Sequence, residues 1–354
     1  MVRRLESDER RLLGMRLRAQ LLAEPAATPA DAVRHLLSMQ AQDWFGSLWA
    51  VALRSGATTA DVEAAQAAGD VVRSWPMRGT LHWTPAEDVR WLATLTAERI
   101  DRRDATRMRQ VLELDGAALG RARDVVERVL ADGPASRQSL LDALVAAGQP
   151  VHAQRGPHIL GWLARHGHVV MVSRTHYALH DAWVRAPRDL RGDEALAEVA
   201  RRYLTSHGPA TVHDLAWWTG LTVTDARRGV DAVGGALEAM EVDGTTFLHA
   251  PGLEPAEGVH LVAPFDEIVL GYADRSRTLR GEPLERMVPG ANGLFLPAAM
   301  VDGAVSGTWT RTQGQQGLSV AIDPWAPIPQ RRAPALRRAV RAYGAAHGTV
   351  ASLA

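Results

Sequence analysis

The chain has no cysteine and no lysine among its 354 residues. The first absence excludes disulfides and thiolate metal sites, and makes a reducing, cytoplasmic compartment the natural home. The second leaves arginine as every one of the 40 basic residues, so each cation is a planar fork suited to phosphate. No segment approaches about 18 uninterrupted apolar residues, and no membrane span is expected. The start, Met1-Val2-Arg3-Arg4-Leu5-Glu6, is charged and leads into no apolar run of signal-peptide type. Thirteen histidines are present, but none stands in a helical ligand pair such as His-Glu-x-x-His, so neither a metal nor another cofactor is expected. A net charge of zero removes bulk electrostatics as a sign of a polyanionic partner. Arginines do crowd locally, at 99, 102, 103, 107 and 109 and again at 331, 332, 337, 338 and 341. Such runs are more often solvated faces than sites.

What remains is a globular composition, 46% apolar and 23% charged, on a chain long enough for about two to four domains. The stretch Ser38-Met39-Gln40-Ala41-Gln42-Asp43-Trp44 lies between two helical segments. Thr28, Pro29 and Asp31 read as the cap and first turn of the upstream helix. Asp43 can cap the downstream one, which carries Trp44, Leu48 and Val51 on one stripe. At an extended junction Gln40 and Gln42 point the same way, and two primary amides facing one space can hold a water or a ligand. A Gln-x-Gln triplet alone is common and usually solvated, so it needs context.

That context is a repeat. A helix is expected over 1–24 and a short one after the Thr58–Asp61 capping box. Val71–Trp75 and Arg78–Trp83 then read as two short strands broken at Pro76, with Thr84-Pro85 opening another helix. The pattern recurs with helices over 121–130, around Leu140–Leu144 and around Ile159–Leu163, then a hairpin about Arg174-Thr175. In the third copy Thr211–Asp214 and Thr222–Asp225 cap the two arms of a helix-turn-helix turning at Gly220, and Asp243-Gly244 turns the hairpin. Three units of helix, helix-turn-helix and wing recur at a spacing of roughly 70 to 90 residues. From Pro251 prolines and glycines rise, and short strands replace helices, among them Gly293–Leu296 and the pair about Asp302-Gly303. This reads as a small barrel or curled sheet, closed by an Arg-rich helix over 333–346. The fold class is α+β: three tandem winged-helix domains over 1–115, 116–190 and 191–256, then a small β-barrel over 257–354.

Five motifs stand in order: Met39–Asp43, Met77–Trp83, Ala216–Leu221, Pro264–Ser276 and Asp302–Trp309. Together they resemble the tandem winged-helix DNA glycosylases typified by AlkZ and YcaQ, over essentially the whole chain. The resemblance implies a C-shaped arrangement around a DNA-binding channel. Gln40 and Gln42 match the Gln-x-Gln branch; the other branch carries Asp at the second position. It further implies excision of N7-alkylguanine from double-stranded DNA, including interstrand cross-links made by bulky alkylating natural products such as azinomycin B.

The chemistry agrees with the residues. Guanine alkylated at N7 is already cationic and leaves as a neutral base, without the acid that most glycoside cleavage requires. The protein must then place a water and stabilise positive charge developing on the sugar, which two amide oxygens can do as fixed dipoles. Gln40 and Gln42 are the catalytic candidates. Asp43 and His82 are auxiliary candidates, although Asp43 suits an N-cap better and His82 equally suits a structural role beside Trp83. Arg78 and Thr80, alternating with His82 along a strand, and Trp309 with Arg311 are candidate DNA contacts; Trp309 equally suits barrel core. Asp266, Asp274 and Arg275 read as paired structural charges. The expectation is a monomeric, monofunctional glycosylase. The principal alternative is a non-catalytic multi-winged-helix transcription regulator, and a further one a drug-binding or DNA-protecting protein.

Overall fold

Capping signals decide where the helices begin. In the computed structural model, which describes residues 5–354, Thr28 accepts from Asp31 N and starts the helix Pro29–Leu36. Thr58 with Asp61, and Thr211 with Asp214, close reciprocal capping boxes on Thr59–Ala68 and Val212–Thr219. Thr222 accepts from Asp225 N at the head of Val223–Val233. The first described helix is Ser7–Ala19; residues 1–4 of the helix expected over 1–24 lie outside the described residues.

Three times, helices lead into an antiparallel hairpin. The first joins Val71–Met77 to Thr80–Pro85, the second Val169–Met171 to His176–Leu179, and the third Glu238–Val242 to Thr245–His249. The expected break at Pro76 does not occur. Pro76 is carried inside the first strand by a register shift between Ser74 and Met77, and Arg78-Gly79 makes the turn with φ values of 55° and 79°. Thr84-Pro85 likewise caps no helix. Thr84 pairs with Val72 and Pro85 with Val71, so the ladder wins, and a single turn at Ala86–Asp88 leads into the helix Val89–Thr106.

The first two hairpins share one sheet. Its six strands run Met39–Gln40, Thr80–Pro85, Val71–Met77, Val169–Met171, His176–Leu179, Ala135–Ser136. Arg73 pairing with Met171 is the seam between the two hairpins. The third hairpin stands as its own two-stranded sheet. The C-terminal part is a five-stranded sheet in which Val259–Val262 and Ala351–Leu353 occupy opposite edges. The sheet is therefore open, with Ala299, Trp309 and Val320 in one core and Val262, Met300 and Val305 in another with Ile268 and Met287, and the strand expected at Gly293–Leu296 is irregular. The helix Ala333–Ala346 covers one face, burying Leu336, Val340 and Tyr343 with Trp49 and Trp309.

A buried ion pair ties these parts together. Arg54, on the helix Trp44–Ser55, meets Asp266 through two hydrogen bonds of 2.6 and 2.9 Å with both side chains fully buried. The same guanidinium donates to Gln20 Oε1 at 2.9 Å, and Gln20 Nε2 donates to Tyr272 Oη at 3.0 Å. Removing one partner leaves an uncompensated charge in the interior. Arg54→Met is expected to lower unfolding free energy by about 3 to 5 kcal/mol in urea titration. The double variant Arg54→Met/Asp266→Leu should recover part of that loss; a double variant less stable than the single one would contradict this role.

Candidate active site at the Gln-x-Gln junction

Gln40 lies on the edge strand Met39–Gln40, opposite His82, and Ala41 N donates to Leu81 O at 2.7 Å. Met39 and Ala41 are buried, so alternation along extended chain puts the Gln40 and Gln42 side chains on the other side together. Gln40 is half-buried and Gln42 exposed. The Gln42 Oε1 atom accepts from Leu81 N at 3.2 Å, which pins that amide. Among the described residues the Gln40 side-chain amide has no protein partner.

The strand is braced from two directions. Arg73 donates through Nη2 to Ala41 O at 2.7 Å and lies 4.7 Å over the Trp44 ring. Burial pushes its pKa down to about 10, which still leaves a cation at neutral pH, and its Nε has no partner. On the opposite edge Gln40 N donates to Glu267 Oε1 at 2.8 Å. Glu267 Oε2 accepts from Trp218 Nε1 at 2.9 Å. Burial raises the pKa of this carboxyl, but His207, Arg78 and His82 outweigh it and hold the group at about 2, ionised. The motif helix also presses on this segment: a β-carbon at Gly46 would stand 2.9 Å from Pro264 Cδ.

His82 is fully buried. Its Nδ1 is 2.9 Å from Thr80 O and therefore carries the proton, while Nε2, 3.3 Å from Arg78 Nη2, accepts. Burial, reinforced by Arg78, lowers its pKa to about 4, so the ring is neutral. A direct donor role toward a lesion is thereby replaced by a bridge beneath the surface. Asp43 accepts from Gly46 N at 3.2 Å and is the N-cap of Trp44–Ser55. Gln42 and Asp43 line one end of a cleft of about 500 Å³ whose other walls are Phe45, Arg73, Trp75, Arg137, Arg174 and Tyr177. Arg174 sits 5.0 Å over the half-exposed Phe45 ring. Burial pushes the Tyr177 hydroxyl up to about 12, so it keeps its proton.

The family described as DNA glycosylase AlkZ-like matches residues 33–346. The chain belongs to the AlkZ-like DNA glycosylase family. It is an enzyme of DNA repair, and the alternative of a non-catalytic regulator is not favoured. A relative named interstrand DNA cross-link repair glycosylase, from Streptomyces sahachiroi, is 27% identical over 335 residues, covering 86% of this chain and 88% of that protein. The solved structure of Streptomyces sahachiroi DNA glycosylase AlkZ superposes with a TM-score of 0.81 at 21% identity, over 99% of this chain and 100% of that one. That likeness concerns the mixed α+β fold.

Within this AlkZ-like glycosylase the other expected contacts divide. Arg78 sits in a turn, where the expectation was a strand, and no carboxylate lies within ion-pair distance among the described residues. Burial lowers its pKa, with Glu267 opposing. A β-carbon at Gly220 would stand 3.4 Å from Arg78 Cγ, and φ of 76° there favours glycine. The first hairpin tip thus packs on the third unit's turn. Between them Arg78, Arg99, Arg102, Arg103 and the exposed Trp217 line a second cleft, of about 720 Å³. Thr80 is half-buried, with a buried hydroxyl lacking a partner. Trp309 does not face outward. It is buried against Tyr343, its Nε1 donating to Val262 O at 3.0 Å, because the helix Ala333–Ala346 covers that end of the strand. Arg311, on the same face two residues on, is exposed beyond the helix. Asp266 is paired as expected, and Asp274 meets Arg277 at 3.3 Å. Arg275 instead donates to Val269 O and stacks on Trp217.

The residues missed from sequence are Arg73, Trp75, Arg137, Arg174, Tyr177 and Glu267. Only Glu267, an acid set before Ile268-Val269-Leu270 inside a quoted motif, carried a signal. Because asparagine caps as well as aspartate, Asp43→Asn is expected to keep base-release rate within about threefold and stability within about 0.5 kcal/mol. A loss of about a hundredfold or more would instead make the Asp43 carboxylate a general base.

Proposed function

We propose that this glycosylase hydrolyses the N-glycosidic bond of N7-alkylguanine in double-stranded DNA, with Gln40 and Gln42 as the catalytic pair. What supports the reading is that alternation along the chain turns the two glutamines to one side, while their titratable neighbours are engaged: Asp43 caps a helix, His82 is buried and neutral, and Glu267 is held by N–H donors. Such a site suits a leaving group that is already charged. The amide oxygens would orient the water and face the oxocarbenium-like sugar; the N-glycosidic bond breaks as the base leaves neutral without a proton from the protein, the water oxygen bonds the anomeric carbon, and its surplus proton passes to bulk solvent.

The cleft beside Gln42 is open and wide, about 500 Å³, which supports a bulky adduct, including one arm of an interstrand cross-link, without full extrusion of the nucleotide. Arginines along the two clefts, with Arg311, would hold backbone phosphates; the buried Thr80 hydroxyl is out of reach of them. The architecture underlying this is three winged-helix units over 1–115, 116–190 and 191–256, followed by a small domain over 257–354 built on a curled, open sheet. We take them to form a C-shaped channel for the duplex, and the protein to act as a cytoplasmic monomer.

Two results are expected. Gln40→Ala and Gln42→Ala should each lower release of free N7-methylguanine from a defined duplex by about a hundredfold, as loss of one oriented dipole does elsewhere; release at the wild-type rate contradicts the assignment. The wild-type rate should also be flat from about pH 5.5 to 8, because amides do not titrate. His82, lowered to about 4, stays neutral throughout that range, and Glu267, at about 2, stays ionised. A bell-shaped profile there would require an acid or base the reading lacks.

A further inference from the structure

The strand that carries Gln40 is held at its outer edge by a group with no assigned role. Met39–Gln40 has a sheet neighbour on one side only, the strand Thr80–Pro85, so Gln40 N points away from the ladder. It is met there by Glu267, 1% exposed, at 2.8 Å. The second carboxylate oxygen accepts from Trp218 Nε1 at 2.9 Å, with His207 Nε2 at 3.5 Å. Among the described residues no arginine lies within ion-pair distance of Glu267. A carboxylate buried with only His207 at ion-pair distance and Arg78 farther off is expensive, and an apolar side chain would serve packing at lower cost. Its two oxygens are instead aimed at two N–H groups, one of them the backbone of the catalytic strand.

We propose that Glu267 is a positioning residue of the glycosylase reaction, fixing the Gln40 backbone so that its amide keeps the reactive orientation; this rests on the catalytic reading of Gln40. Displacement by about 1 Å costs up to about a hundredfold in rate. An amide in place of the carboxylate has one acceptor for two donors, so Glu267→Gln must lose one of the bonds. Removing the competing donor with Trp218→Phe frees the amide oxygen to turn back to Gln40 N.

The test is single-turnover release from a duplex containing one N7-methylguanine, with duplex affinity and Tm measured on every variant. Glu267→Gln is expected to slow release about 10- to 100-fold with affinity within about threefold. Trp218→Phe should stay within about threefold of wild type, and Glu267→Gln/Trp218→Phe should regain most of the lost rate. A double variant that releases base faster than Glu267→Gln while melting lower is a result that a purely structural role does not give. Wild-type release by Glu267→Gln while Gln40→Ala is inactive overturns the proposal alone. So does a deficit that persists undiminished in the double variant. Full activity of Gln40→Ala overturns the reading beneath it.

Discussion

Asp266 and Glu267 are consecutive, both are buried, and they reach in different directions. Asp266 takes the Arg54 guanidinium from the helix that follows the Gln pair. Glu267 takes the backbone of the strand that carries Gln40 and the indole of Trp218 in the third helical unit. Phe265 just before them adopts φ of 59°, a conformation that costs a non-glycine residue about 1 to 2 kcal/mol. That cost is offset by the two acids it delivers. The strand that carries Gln40, the helix behind it and the third unit are therefore set in register by one short segment that lies far away in sequence.

Around this anchor the charges are segregated. In the proposed reading the neutral amides of Gln40 and Gln42 serve the sugar that acquires positive charge, while Arg73, Arg137 and Arg174 line the cleft beside Gln42. A second group, Arg78, Arg99, Arg102 and Arg103, lines the gap between the first and third units. A net charge of zero over the chain conceals this distribution. Acids such as Asp61, Asp214 and Asp225 are engaged in helix caps, while arginines line both clefts.

Much of the helical framework was legible because it rests on local chemistry. Thr28, Thr58, Thr211 and Thr222 each accept from the backbone three residues on, and Asp243-Gly244 turns its hairpin. Failures came where distant pairing overrode a local signal. Pro76 is absorbed by a bulge, Thr84-Pro85 is held in a ladder, and Trp309 is capped by a helix arriving from the C-terminal end. The Gln pair could be located from its triplet and neighbouring motifs. The cleft wall could not, since Arg174 and Tyr177 come from the second hairpin and meet the first through a single strand seam at Arg73 and Met171. Glu267 lay in view inside a motif, but its partner is a backbone N–H, and sequence carries no mark of that.

The central claim is that the paired amides act on a base whose charge is already in place. It is tested most directly by comparing two duplexes, one with N7-methylguanine and one with its uncharged isostere, 7-methyl-7-deazaguanine, at the same position. Matched binding of both, with base released only from the cationic duplex, is the expected result. Release of the neutral isostere at a comparable rate would mean that the protein supplies an acid, and would contradict the assignment of Gln40 and Gln42.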